Sequence, residues 1–286
     1  MLLATFIFAL NSSAGKWLVA RYSIGEFMLI RGGLTLLLLS PFIWHAGRAA
    51  FANAPKPGLQ VLRVALSSFE IAMFFWAVSY LPLADTTTFY LAGPIYVTAF
   101  SVILLREHVG WRRWSAVLIG FIGVLIALRP STSSFTLPAL IALTGSLFYA
   151  LLMITTRALR ETNDTMLMTT HFVGQFAFGA ATAPFGWTAP AGYDLLLIAA
   201  LSGATIVAQF SVIRSLKLAS ASVVVPYQYT LILWSVLFGW LIFAELPDAY
   251  TIAGAAIIVM AGLYIFWRER VTARAKPATV APAEPV

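Results

Sequence analysis

The chain has 286 residues, 60% of them hydrophobic and only 10% charged, with a mean hydropathy of +0.88. Soluble domains hold roughly 45–50% apolar and about 25% charged residues, so the composition excludes a water-soluble protein and leaves no room for a soluble catalytic domain. A formal charge of +7 would suit nucleic acid, but the basic residues lie between apolar runs and fit a membrane surface better, and the lack of cysteine rules out disulfides, thiolate metal sites and cysteine nucleophiles.

Spanning a hydrocarbon core takes about 20 helical residues, so the length accommodates roughly ten spans with short loops. Met1 to Leu10, followed by Asn11, Ser12 and Ser13, lacks the basic segment of a secretory signal and is read as part of a first span. Apolar runs bounded by charges, prolines or glycines place the first five spans at 2–20, 26–44, 61–81, 86–105 and 111–129. The other five fall at 136–156, 166–184, 195–214, 219–244 and 250–267. The polar, Pro/Ala-rich stretch 268–286 is expected to be a disordered cytoplasmic tail. Flanking cations concentrate on the cytoplasmic side of a membrane. With the N-terminus inside, 14 of the 18 Lys and Arg fall in cytoplasmic segments; the exceptions are Lys16, Arg21, Arg31 and Arg129. Both termini are therefore expected in the cytoplasm of a bacterial cell, with the bundle in its cytoplasmic membrane. Trp44, Trp111, Trp114, Trp187 and Trp267 sit at span ends and read as interfacial anchors.

The two halves are similar. Ser79-Tyr80-Leu81-Pro82-Leu83-Ala84-Asp85 parallels Arg214-Ser215-Leu216-Lys217-Leu218-Ala219-Ser220, a repeat of about 135 residues. Leu105-Arg106-Glu107 matches Phe243-Ala244-Glu245, and Ala9-Leu10-Asn11 matches Ala142-Leu143-Thr144. An odd number of spans per half inverts the second half relative to the first. The predicted fold is thus an all-α integral membrane protein of ten transmembrane helices in two inverted five-helix repeats, 1–132 and 136–267. Glycines on the last span of each repeat (Gly120, Gly123; Gly254, Gly262) are expected to let helices approach closely.

This pattern resembles the EamA-type members of the drug/metabolite transporter superfamily. It rests on an Asn-bearing first helix ending near Lys16, Arg31 entering the second, the Leu-x-Leu-Ala junctions and Pro94 thirteen residues before Glu107. Pro226, nineteen residues before Glu245, departs from the strict repeat. The Tyr90-Leu91 run before Pro94 and the aromatic richness look most like YddG-type exporters of aromatic amino acids. The resemblance implies a central cavity shared by the halves and export of amino acids, metabolites or cationic drugs.

Ionisable side chains inside a membrane are costly and call for an explanation. Glu70, about 13 Å into the third span at roughly 1.5 Å per residue, is the one acid near the midplane and reads as a proton or cation site, or as a hydrogen-bonded or protonated carboxyl. Lys16 and Arg31 lie nearer the external face, where they pair with Glu26 or Asp85 or meet a substrate carboxylate. His171, beside Thr169 and Thr170, is either packed or titrating. Pro94 and Pro226 interrupt the equivalent fourth and ninth spans, the strongest pointer to a transport site. Around them lie Tyr90, Tyr96, Tyr227, Gln228 and Tyr229, with Trp76, Tyr80, Tyr149 and Gln209 facing from other spans. Any single aromatic serves helix packing equally well; the set suggests stacking faces with polar handles.

No nucleophile with a base, carboxylate pair or metal-ligand set shares one depth, so neither catalysis nor a cofactor or metal is expected. Nor does a charged ring or filter suggest a channel. The expected partners are a small-molecule substrate and the lipid bilayer, with protons left open and nucleic acid excluded. The leading expectation is a secondary exporter working by alternating access; the alternatives are a cationic-compound exporter of the same fold and a membrane protein that does not transport.

Overall fold

In lipid a backbone must satisfy its own hydrogen bonds, so apolar stretches of this length become helices. The computed structural model describes residues 1–47, 51, 55–107, 109–128, 136–244, 249–250, 252–254, 256–257, 260–261 and 264. Among the described residues all regular structure is helical. The helices are α1 (Leu2–Val19), α2 (Ile24–Ala46), α3 (Pro57–Tyr80), α4 (Leu83–Tyr90), α5 (Gly93–Leu105), α6 (Trp111–Leu128), α7 (Leu137–Ala158), α8 (Asp164–Thr182), α9 (Gly192–Leu218), α10 (Ala221–Val224) and α11 (Thr230–Phe243). Short 3-10 segments cover Ala183–Phe185 and Val225–Tyr229.

Among the described residues, seven segments are long and apolar enough to cross a membrane: α1, α2, α3, α7 and α9, together with Asp85–Leu105 and Val225–Ile242. The chain is a multi-pass membrane protein. α6 and α8, of 18 and 19 residues, stand where the fifth and seventh spans are expected. The tenth span, with Gly262, is described only in fragments, and Arg129, Glu245, Trp267 and the expected tail 268–286 lie outside the described residues.

Local chemistry sets the helix ends. Ser23 caps α2 by accepting from the Glu26 backbone N–H at 3.2 Å, half of a capping box, and Asn163 caps α8 through Thr165 at 2.8 Å. Pro57 opens α3, where a missing N–H costs nothing. That start lies four residues before the expected one and sets Arg63, counted among the cytoplasmic flanking cations, almost two turns into the helix. α5 and α11 both end in left-handed residues, Arg106 (φ 53) and Ala244 (φ 54), at positions that match in the sequence repeat.

Helices of the first 132 residues pack on helices of the later part: α2 on α8, α3 on α7, α1 on α9 and α11, and α4 on α11. The α2–α8 contact depends on glycine. A Cβ on Gly179 would lie 2.7 Å from the Leu29 Cα, and one on Gly32 would lie 2.9 Å from the Phe176 backbone nitrogen. Small residues here allow backbones to approach as they do in membrane helix pairs. Of the glycines expected to serve this purpose, Gly120 of α6 instead accommodates the Tyr229 ring. Large apolar side chains such as Leu37, Phe42, Val61 and Ile103 cover the outside, and Trp44, Trp111 and Trp187 are exposed at helix ends.

Candidate functional site

Two interruptions shape the centre. A proline lacks the N–H that an α-helix bonds to the residue four positions back. Accordingly, the segment 83–105 breaks at Leu91-Ala92, just before Pro94 near the start of α5. The other segment becomes a 3-10 turn over Val225–Tyr229, containing Pro226. Backbone loosened this way must be covered by protein or face a cavity.

A cavity of about 120 Å³ lies beside both breaks, lined by residues from both parts of the chain. α1 contributes Thr5, Phe8, Asn11 and Ser12; α2 contributes Arg31; α3 contributes Glu70, Ile71, Phe74 and Phe75; Tyr90 and Leu91 come from the first break. The later part brings Tyr149, Leu152 and Met153 of α7, His171 and Gln175 of α8, Thr205, Gln209 and Val212 of α9, then Gln228 and Leu231.

The polar groups are ordered by one another. Arg31 Nη2 donates to Thr205 Oγ1 at 2.7 Å, and Thr205 Oγ1 also donates to Asn11 Oδ1 at 3.1 Å. His171 Nε2 meets Gln175 Nε2 at 3.0 Å, and Gln228 donates to the Tyr149 hydroxyl. Tyr90 donates to the Glu70 carbonyl at 3.1 Å, occupying space that a side chain at position 145 would fill. Aromatic rings close one wall: Phe74 stands edge-on to Tyr90 at 5.1 Å and to Phe75 at 5.4 Å, and Phe75 edge-on to Phe27 at 4.9 Å.

The cavity takes in Tyr90, Tyr149, Gln209, Gln228, Glu70, Arg31 and His171 of the residues singled out by sequence. The others lie elsewhere. Tyr80 is 67% exposed, and Trp76 borders a separate apolar groove with Phe69 and Phe178. Tyr96 packs on the core around Val97, and Lys16 ends α1 half-buried. Tyr229 is buried against Gly120 and donates to the Val117 carbonyl at 3.2 Å. Tyr227 is half-buried, whereas its neighbour Gln228 reaches the cavity, because the tight 3-10 turn rotates successive side chains away from α-helical phase. The expected pairing of Arg31 with Glu26 gives way to the bond with Thr205, since Glu26 accepts the Thr188 backbone N–H at 3.0 Å instead.

Beyond the cavity, the two parts are tied at both ends. At the end bearing Met1, Arg63 is fully buried and donates to Thr156 Oγ1 and the Leu167 carbonyl, both at 2.9 Å, and Gln60 reaches Thr162 at 3.3 Å. Arg157 pairs with Glu107 across the parts at 3.5 Å, and within the later part Asp164 holds Arg214 at 2.7 Å and Lys217 at 2.5 Å. At the opposite end Tyr22 donates to Asp194 at 2.6 Å and accepts from the Ala191 backbone at 3.1 Å, with Arg21 3.6 Å from Asp194. The bond to Asp194 pushes the pKa of the Tyr22 phenol up from its usual value.

Residues 1–129 match the model of the EamA-like transporter family. An S-adenosylmethionine uptake transporter of Rickettsia felis is 25% identical over 262 residues, 91% of this chain and 88% of the relative. A riboflavin transporter of Vibrio cholerae is 27% identical over 270 residues, 93% of this chain and 91% of the relative. The pseudopaline exporter CntI of Pseudomonas aeruginosa is 27% identical over 264 residues, 91% of this chain and 92% of the relative. A solved crystal structure superposes with a TM-score of 0.76 over 95% of each chain at 15% identity, which shows a shared fold.

Proposed function

We propose that this chain is a secondary transporter of the EamA-like, drug/metabolite type that exports small organic solutes, foremost aromatic amino acids or related metabolites. The observation that carries the reading is the central cavity: aromatic walls and a few polar groups, assembled from both parts of the chain beside two proline-broken helices. The family match and the transporter relatives support it. Those relatives include an uptake transporter and an exporter, so the outward direction rests on the sequence resemblance alone.

The halves 1–132 and 136–267 form inverted repeats of five spans each, ten in all, with both termini in the cytoplasm. The matching left-handed ends at Arg106 and Ala244 support that symmetry. So do the two sets of ties. Tyr22, in the α1–α2 turn, meets the first turn of α9; about 135 residues on, the α7–α8 turn at Thr162 meets the first turn of α3 at Gln60. Alternating access is the exchange of these two closures around a fixed cavity. A second reading, export of cationic compounds, is favoured by the single acid, Glu70, among aromatic cavity walls.

Reconstitution of the full chain into proteoliposomes with labelled phenylalanine, tyrosine and tryptophan, with and without a pH gradient, tests the function. Protein-dependent counterflow of at least one of them is expected. Movement of cationic drugs alone selects the second reading, and movement of no solute in a broad panel refutes transport.

A further inference from the structure

Two side chains of opposite charge type line one small cavity within each other's field, yet no direct bond joins them. Arg31 is 6% exposed; one Nη is bonded to a neutral hydroxyl, and its Nε has no partner. Glu70 is 9% exposed, and among the described residues no group holds its carboxyl; only its backbone carbonyl is engaged, by Tyr90. Among the described residues neither side chain forms an ion pair within 4.0 Å. The other polar lining groups are amides, hydroxyls and a histidine already bonded to Gln175. Charge buried at this depth is costly until an opposite charge meets it. An arginine fork matches the two oxygens of a carboxylate, and a carboxylate accepts from an ammonium.

We propose that the cavity distinguishes its solutes at both charged ends, with Arg31 holding a carboxylate and Glu70 holding an ammonium carried on the same small skeleton. This rests on the transport reading above. It adds what that reading leaves open: which residue reads which end, and that each excludes a class of analogue. Phe74, Tyr90 and Tyr149 then meet the rest of the solute. An amine without a carboxylate leaves the Arg31 fork without an acceptor, and an acid without an amine leaves the Glu70 carboxyl without a donor; a site with an unmatched buried polar group rejects such analogues strongly.

The test uses the full chain in proteoliposomes with phenylalanine, phenethylamine and 3-phenylpropionate, which share a ring and differ in their charges. Wild-type protein should half-saturate with phenylalanine at a concentration at least about tenfold below either analogue, the discrimination expected of one hydrogen bond to a charged group. In Arg31→Gln the preference over phenethylamine should fall by about tenfold or more while that over 3-phenylpropionate persists. Glu70→Gln should show the converse. A merely structural role would weaken all three alike, and that result, or equal handling of the three by the wild type, overturns the assignment. Should either variant fail to fold, the wild-type series decides. The same criterion applies to any solute of a wider panel that moves: preferred solutes carrying one charge or none overturn the proposal and leave transport standing. A protein that moves no solute at all refutes the transport reading itself.

Discussion

Replacing Tyr22 with phenylalanine removes one oxygen and should unlock the end of the bundle opposite Met1. In the structure that hydroxyl donates to Asp194 at 2.6 Å and accepts from the Ala191 backbone N–H at 3.1 Å, so both bonds vanish together. Asp194 is 1% exposed and keeps only Arg21, at 3.6 Å, whose side chain is 54% exposed. A hydrogen bond to a charged group contributes about 1.5–3 kcal/mol, and leaving a buried acceptor unmet costs a similar amount. If the bond exists only while this end is closed, its loss shifts the closed–open equilibrium by roughly 10- to 150-fold. The cysteine-free chain makes this measurable. Ser12, on the cavity wall, is replaced by cysteine, and the rate of modification by a membrane-impermeant maleimide applied from the face opposite Met1 is compared with and without Tyr22→Phe. A rise of about tenfold or more is expected. An unchanged rate in a variant that elutes as folded protein and melts near the wild-type temperature would show that Tyr22 is no closure.

Three further outcomes follow from the same geometry. Given the charge split, Ala191→Cys should react with an impermeant reagent from outside intact cells and Glu161→Cys should not, both positions being exposed at opposite ends; the reverse pattern overturns the orientation. Gly179→Val places a side chain against the Leu29 backbone, which cannot swing aside as a side chain can, so it should destabilise the α2–α8 pair by about 1–3 kcal/mol, read as a lowered melting temperature in detergent; an unchanged value refutes the close-packing account. Tyr90→Phe keeps the ring against Phe74 and should transport within a fewfold of wild type, whereas Tyr90→Ala loses an edge-to-face partner worth about 0.5–1.5 kcal/mol beyond its buried area; equal transport by the two would remove Tyr90 from the solute path.

Much of the candidate site could be read from one dimension because membranes make polar residues conspicuous. Glu70, Arg31 and His171 stand out against apolar runs, and each lines the cavity; Tyr90 and Gln209 were found from their positions near the breaks or on facing spans. The prolines likewise announce interrupted helices, since a missing N–H has the same consequence in any context. What stayed hidden is helical phase and partner choice. Whether Tyr227 or Gln228 faces the cavity depends on a 3-10 turn whose rotation per residue differs from that of the expected α-helix. Trp76 and Tyr80 lie on the same helix as Glu70 but on faces turned to the outside, and hydropathy alone does not tell the two sides of an apolar helix apart in lipid. Arg63 read as one more flanking cation, yet Pro57 starts its helix early enough to bury the guanidinium among Thr156 and Leu167 of two other helices. The sequence by itself determined that the chain crosses a membrane many times, where its helices break and which charges need explaining, because each of these is a local cost in hydrocarbon. Only the tertiary structure decided which groups meet across α1, α2, α3, α7, α8 and α9, because those contacts join residues far apart in the chain, and only packing sets their geometry.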